Sequence, residues 1–593
     1  MPRRTLNLGI LAHVDAGKTT LTERLLYAAG IIDTVGSVDA GTTRTDTLPL
    51  ERQRGITIKS AVVSIEVAGV TVNLIDTPGH PDFIAEVERV LNVLDGAVLV
   101  ISAVEGVQPQ TRILYRALQR LGVPTLFFVN KIDRAGADAD RVLDAIEARL
   151  TPNAVAVGMA DDGAFVPFGE LPAAMDGHPV FFGSAITGAG VDELRRGIVE
   201  LLPSAAGDAD APLAARVFKI ERGTAGEKIA YVRLFSGRIG VREKLGDDKV
   251  TSIAVFEQGG AVQQPEVRAG GVAKLWGLGG VSVGDGIGDV RGREHHFAPP
   301  TLEAVVAPVN DADAAKLRVA LSQLAEQDPL IDVRQDDERH ELSVSLYGEV
   351  QKEVIEATLA DDYGIAVEFR ETTPLYVERP TRAGDALELI HSPTNPYEVS
   401  LGFRVEPGEG IDVRFEIERV AAPLHVYRSW ERFTEYMTGY VRDALLAGPH
   451  GWQVADCVVT LTFCKHAVAD GPPSERGETK AIDIRKLTPL VVAQALQAAS
   501  AVVCEPTLRV SLELPAQSLQ AVLAAVARLG GTIEAPALRG ELAVVESVLP
   551  AVRADDLQRE LPRLTSGEGV LERAFEGYRP VDGEQPVRRI GSV

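Results

Sequence analysis

The sequence predicts a multidomain protein of α/β and β class, and three observations carry that expectation. Residues 1–203 alternate apolar, β-branched runs (LNLGILAH, VTVNLID, GAVLVIS, PTLFFVN, HPVFF) with amphipathic stretches (KTTLTERLLYAAG, VQPQTRILYRALQRLG), the pattern of a doubly wound, mostly parallel sheet. Residues 212–299 are strand-rich and punctuated by glycine, as in a small β-barrel. The remainder alternates strands with helices more loosely, as α+β units do, and 593 residues are too many for one hydrophobic core.

Five units are expected in order. The α/β unit over 1–203 ends at PSAAGDADAP (Pro203 to Pro212), small and polar enough to be a linker, and the β-barrel follows over 212–299. A compact α+β unit over 301–370 carries the helical runs AAKLRVALSQLAEQ and VQKEVIEATLADDYG. The fourth unit, 371–502, has strands around LGFRVEP and CVVTLTF and a helix around LTPLVVAQALQAA. The last, 503–593, pairs LRVSLELP with SLQAVLAAVARLG and then ELAVVESVLP with ADDLQRELPRLT, a ferredoxin-like split βαβ pattern.

Composition narrows the setting. Hydrophobic residues make up 45% and charged residues 24%, so the chain is expected to fold nearly throughout. The cysteines Cys457, Cys464 and Cys504 form neither a disulfide framework nor a metal-ligand spacing, which predicts a reducing, cytoplasmic setting. The opening MPRRTLNLGILAH runs straight into a phosphate-binding loop and reads as a strand, not a signal peptide. No uncharged apolar stretch is long enough to span a bilayer. A net charge of −24 argues against a general nucleic-acid binder while leaving room for local basic patches against a large ribonucleoprotein.

The sharpest chemistry lies in the first unit. Ala12-His13-Val14-Asp15-Ala16-Gly17-Lys18-Thr19 falls between the first strand and first helix, where a phosphate-binding loop belongs, although Ala12 stands where a glycine is usual. The N–H groups of Asp15, Ala16, Gly17, Lys18, Thr19 and Thr20 can converge on a β-phosphate. Lys18 can bridge β- and γ-phosphates, and the Thr19 hydroxyl can ligate Mg²⁺. Asp76-Thr77-Pro78-Gly79 follows a strand, so Asp76 is expected to hold Mg²⁺ through water and Gly79 to offer its N–H to a γ-phosphate.

Asn130-Lys131-Ile132-Asp133 follows another strand and reads guanine. Asp133 can accept from the ring N–H and exocyclic amine, Asn130 can brace loop and base, and the Lys131 stem can pack on the ring. In Gly183-Ser184-Ala185, a backbone N–H of Ser184 or Ala185 can meet the guanine carbonyl. Arg54-Gly55-Ile56-Thr57-Ile58 lies where a switch segment must, with Thr57 expected on Mg²⁺ and the γ-phosphate. His80, one residue past Gly79, is the catalytic candidate for orienting the attacking water; Val14 and Ile56 are placed to flank it as an apolar gate. Four elements in this order on strand ends outweigh the reading of each acid as a solvated turn residue.

Together AHVDAGKT, RQRGITI, DTPGH, NKID and GSA resemble the translational GTPases, and the unit order resembles elongation factor G over nearly the whole chain. Gly36 to Ser60, Asp76 to Leu114, SPTNPYEVSLGF (Ser392 to Phe403), GPHGWQVADCVVTLT (Gly448 to Thr462) and IRKLTPLVVAQAL (Ile484 to Leu496) resemble the tetracycline-resistance ribosomal protection proteins, especially the actinobacterial type. The resemblance implies a monomeric, ribosome-dependent GTPase using GTP and Mg²⁺. It implies contact with ribosomal RNA and proteins at the GTPase centre and, through the fourth unit, at the small-subunit decoding region, where tetracycline is displaced. Two places depart from that family: the expected tip loop, Cys464 to Asp483, lacks a Tyr-Tyr-Ser-Pro-Val-like run, and the chain stops at PVRRIGSV where relatives carry a further short helix. A translocase like elongation factor G and a ribosome-binding regulatory GTPase stay open as alternatives; a GRGQYGH-like loop, expected of the former, is absent.

Overall fold

The computed structural model describes residues 4–36, 43, 51, 57–80, 83–169, 177–203, 207–223, 226–290, 300, 302–328, 331, 333–336, 341–347, 349–467, 478–539, 541–581 and 583–588. Of the sequence expectations, Arg54, Gly55 and Ile56 of the switch segment, the centre of the tip loop (468–477) and the last residues (589–593) lie outside these.

The first unit is built on strands β1 (Arg4–Ala12), β2 (Ala61–Val67), β3 (Val70–Asp76), β4 (Gly96–Ser102), β5 (Thr125–Asn130), β6 (Ala154–Ala156), the hairpin β7 (Gly158–Asp161) and β8 (Ala164–Pro167), and β9 (His178–Phe182). Seven of them form one sheet in the order β2-β3-β1-β4-β5-β9-β6. All neighbours are parallel except β2 with β3. Helices cover both faces, so β1 and β4 are buried along nearly their whole length and read as continuous apolar runs instead of alternating ones. Leu6, Leu8 and Ile10 face one core with Leu21 and Leu25 of the helix Lys18–Ala28, whereas Leu11 faces the other with Leu99, Phe127 and Leu118. The loops after β1, β3, β5 and β9 therefore emerge at one carboxyl edge, where ligands of such sheets bind.

The second unit carries a six-stranded antiparallel sheet and two short two-stranded sheets between Ala214 and Gly288. It is welded to the first by an apolar cluster of Ile75, Val90 and Val93 with Phe218, Tyr231, Phe256 and Val272. A buried polar network adjoins it. Asn7 Nδ2 donates to Asp95 Oδ2 at 2.7 Å and to the Gly270 carbonyl at 3.1 Å, and Arg233 pairs with Asp95 at 2.8 Å.

In the third unit, strands Leu302–Pro308, Val333–Asp336, Glu341–Leu346 and Val367–Pro374 and helices Ala314–Gln327 and Glu349–Tyr363 alternate as βαββαβ. The first strand sits between the third and fourth in an antiparallel sheet. This split βαβ topology, expected only for the C-terminal unit, thus occurs twice. In the C-terminal unit Val502–Pro515 is central, flanked by Leu542–Pro550 and Val570–Pro580, with helices Leu519–Arg528 and Ala551–Leu564 on one side. The fourth unit packs the four-stranded sheet of Gly384–Glu388, Val399–Pro407, Cys457–His466 and Ile411–Phe415 on helices Trp430–Ala444 and Ala481–Ala498. Its segments Val377–Arg379 and Gln453–Val454 leave that sheet and extend the C-terminal one through Val377 opposite Cys504, so the fourth and fifth ranges share a sheet.

Ion pairs also cross between units. Arg112 and Arg116 of helix Pro109–Arg120 both reach Glu513 of the C-terminal unit, and Arg116 also pairs with Glu572 at 2.5 Å. Arg89, behind the DTPG turn, pairs with Asp328 of the third unit. Among the described residues no helix is long and apolar enough to cross a membrane.

Candidate functional site: a nucleotide cleft at the carboxyl edge of the first sheet

A cleft of about 710 Å³ opens at that edge. Asp15, Gly17, Lys18, Thr19, Thr20, Thr57, Gly79, His80, Asn130, Lys131, Asp133, Ser184 and Ala185 all line it. Residues from five stretches of the chain thus meet around one space. Ala16 and Asp76 stand directly behind the lining, both buried.

The phosphate loop takes its shape from two left-handed residues, Asp15 at φ 65° and Gly17 at φ 88°. Aspartate is among the few side chains that tolerate this region, and glycine adopts it freely. Ala12 is the last residue of β1 and needs no such freedom, which explains why a glycine is dispensable there. Gly17 is doubly required, because a Cβ would also collide with Asn130 Nδ2. The helix starts at Lys18, so the N–H groups of its first turn point at the cleft.

At the phosphate end, four buried polar side chains cluster. Lys18 Nζ pairs with Asp76 Oδ1 and donates to Thr57 Oγ1 at 3.1 Å, and Thr57 Oγ1 lies 3.2 Å from Thr19 Oγ1. Two hydroxyls and one carboxylate form a hard-oxygen set of the kind that suits Mg²⁺, and the Lys18 ammonium supplies positive charge at the same spot. The residues present therefore fit a divalent cation. Gly79 backs onto the phosphate loop: a Cβ there would stand 3.0 Å from the Ala12 carbonyl, and Thr77 Oγ1 donates to the Ile10 carbonyl at 3.0 Å. His80 sits at the cleft mouth with its ring 6.0 Å from that of Phe83. Val14, at 36% exposure, lines the same mouth.

At the other end Asn130 is a staple. Its Nδ2 donates to the Ala16 carbonyl at 2.9 Å and its Oδ1 accepts from the Ala185 N–H at 2.9 Å, so one side chain ties the phosphate loop to the loop after β9. Lys131 takes a left-handed backbone, φ 68°, which turns the chain so that exposed Asp133 faces the cleft. Ser184 N–H donates to the Ala189 carbonyl at 3.0 Å; with Ala185 engaged by Asn130, both N–H groups expected to meet a guanine carbonyl already have protein partners.

Three residues that the motifs do not name shape the cleft. Arg24, two turns along the first helix, donates Nε to the Ala185 carbonyl at 2.7 Å and a second bond to the Ile186 carbonyl, clamping the guanine-side loop. Glu105 lies 3.4 Å from His13 Nε2 and 3.6 Å from Lys131 Nζ, bridging phosphate loop and base loop. The His13 hydrogen bond, opposed by burial and helped by the Lys131 ammonium, holds its carboxyl down at about 2. Glu51 is buried beside Thr57. Arg24 and Glu105 act through contacts distant in sequence, whereas Glu51 acts on backbone N–H groups of Ile58 and Lys59.

Comparison with known proteins agrees with this geometry. Residues 3–204 match the Elongation factor Tu GTP binding domain, 297–371 match Elongation Factor G, domain III, and 502–589 match Elongation factor G C-terminus. The chain is 44% identical to the oxytetracycline resistance protein of Streptomyces rimosus, over 98% of this chain and 96% of that one. It is 41% identical to the tetracycline resistance protein TetM of Streptomyces lividans, over 96% of each, and 35% identical to TetP of Clostridium perfringens, over 98% and 96%. A crystal structure from Thermus thermophilus shares the fold, with a TM-score of 0.64 at 22% identity over 98% of both chains. A GTP-binding domain of this family on a chain so closely and completely related makes the protein an enzyme that hydrolyses GTP to GDP and phosphate. The chain belongs to the tetracycline-resistance ribosomal protection proteins, translational GTPases related to elongation factor G.

Proposed function

We propose that this protein is a cytoplasmic, monomeric, ribosome-dependent GTPase that releases tetracycline from the decoding region of the small subunit and so confers resistance. The observation that carries the reading is near-full-length similarity, at 44% identity, to an oxytetracycline resistance protein, in a chain with an assembled nucleotide cleft. The five segments 1–203, 212–299, 301–370, 371–502 and 503–593 act as its domains, the first docking at the ribosomal GTPase centre and the fourth reaching ribosomal RNA at the decoding region.

Within the cleft, backbone N–H groups of Asp15 to Thr20 cradle the β-phosphate and Lys18 moves from Asp76 to the β- and γ-phosphates. Thr19, Thr57 and Asp76 would hold Mg²⁺, which would supply positive charge against the phosphate oxygens. Gly79 offers its N–H to the γ-phosphate. His80 orients the attacking water. Asp133 accepts from the guanine ring N–H and amine, and the Lys131 stem covers the ring. Because Ala185 N–H already serves Asn130, a guanine carbonyl shares that donor with the amide oxygen.

The test is the tetracycline tolerance of a sensitive bacterium expressing the chain, beside its empty-vector control. Raised tolerance that vanishes in the His80→Ala variant is expected. Unchanged tolerance, with ribosome-stimulated GTP turnover intact, would favour a translocase or ribosome-binding regulator instead.

A further inference from the structure

Glu51 belongs to none of the nucleotide motifs, yet its side chain is only 1% exposed. Its Oε1 accepts the backbone N–H of Ile58 at 2.9 Å and of Lys59 at 3.0 Å. These are the two peptide groups immediately after Thr57, whose hydroxyl meets Lys18 and Thr19. The Ile58 side chain is buried against Phe83 and Val354, an apolar contact that also fixes the segment. Farther on, the Ser60 carbonyl accepts from Lys219 Nζ of the barrel at 2.6 Å, and Ser60 Oγ donates to Glu86 Oε2 at 3.1 Å. Those bonds hold the far end of the segment; Glu51 holds the end next to Thr57.

We propose that Glu51 is a positioning residue for GTP hydrolysis, a buried carboxylate that presents the Thr57 hydroxyl to the Mg²⁺ and γ-phosphate end of the cleft. The inference rests on Thr57 being the γ-phosphate sensor. Two N–H bonds to one buried carboxylate are charge-assisted and hence strong. With the backbone after Thr57 already fixed, its hydroxyl engages the γ-phosphate end without a further loss of entropy to order the strap. GDP lacks the group that Thr57 senses, so the clamp favours GTP selectively.

The experiment measures the affinity of the full-length protein for a non-hydrolysable GTP analogue and for GDP, with Mg²⁺, in Glu51→Ala, Glu51→Gln and Thr57→Ala. Glu51→Ala is expected to bind the analogue about tenfold more weakly, on the scale of charge-assisted bonds, and GDP within about twofold, well under one order of magnitude. Glu51→Gln keeps an acceptor oxygen without the charge and is expected to recover part of the loss. Equal weakening for both nucleotides would make Glu51 a general structural residue and overturn the proposal, as would unchanged analogue affinity in Glu51→Ala. A Thr57→Ala variant without GTP-selective loss would overturn the sensor reading and the proposal with it. Selective loss in Thr57→Ala but not in Glu51→Ala would overturn the proposal alone.

Discussion

Removing the Asn130 side chain tests how the cleft is held together. Asn130 is 2% exposed and engages both ends of its amide with backbone partners, the Ala16 carbonyl and the Ala185 N–H, each at 2.9 Å. In Asn130→Ala both bonds go, and each backbone group left buried costs about 1–3 kcal/mol unless water reaches it. The cleft lies alongside, so water recovers part of this, and the lower part of the range applies, about 2–3 kcal/mol in all. If that cost falls on the nucleotide-competent arrangement, affinity drops about 30- to 150-fold at roughly 1.4 kcal/mol per decade. GDP and GTP should lose equally, because the staple joins loops that both nucleotides use and touches nothing at the γ-phosphate end. Titration with fluorescent GDP and with a GTP analogue reads the effect. An affinity within about threefold of the parent, under half a decade, or a loss confined to the GTP analogue, would refute the staple.

Other outcomes follow from the same geometry. Asp133→Asn should shift preference from GTP to xanthosine triphosphate, since an amide can donate to the xanthine carbonyl where a carboxylate only accepts; unaltered guanine preference in a competition assay would count against Asp133. His80→Ala should bind GTP normally but lose most ribosome-stimulated kcat, the signature of an interaction made in the transition state, and turnover within about twofold of the parent, or about 0.4 kcal/mol, would assign the water to another group. Glu105 sits below its unfolded value, so it stabilises the fold above the ordinary carboxylate range near 4.5 and that contribution disappears as pH falls towards about 2. Acid unfolding should therefore find Glu105→Gln less stable than the parent at about pH 5 and converging on it near pH 2; parallel curves throughout would contradict the His13–Glu105–Lys131 bridge.

The sequence makes the cleft legible because phosphate and guanine recognition use short runs at strand ends, where order along the chain mirrors order in the sheet. Lys18, Asp76, Asn130 and Asp133 are placed by that logic alone, and the structure gathers them around one space. Arg24 and Glu105 escape it because their partners lie far along the chain, and Glu51 because it grips backbone N–H groups: a buried carboxylate in LERQRGITI looks like any solvated one. The third unit shows the same limit on a larger scale: its helices and strands are readable from periodicity, whereas placing Leu302–Pro308 between Glu341–Leu346 and Val367–Pro374 depends on long-range pairing. The three-residue strand Val377–Arg379, which carries the fourth unit into the C-terminal sheet, is too short to leave a periodic trace.

Whether GTP turnover on the ribosome serves to remove tetracycline is decided by following both events in one reaction. Ribosomes loaded with radiolabelled tetracycline are mixed with the intact protein and GTP, and phosphate and freed drug are measured together, beside a variant in which Ala467 to Thr479 is replaced by a short Gly/Ser linker. The intact protein should release drug while hydrolysing GTP. The variant should keep turnover, because His80 lies in a different unit from the tip, yet release less drug. Brisk GTP hydrolysis by the intact protein with the drug still bound would contradict a role in drug release.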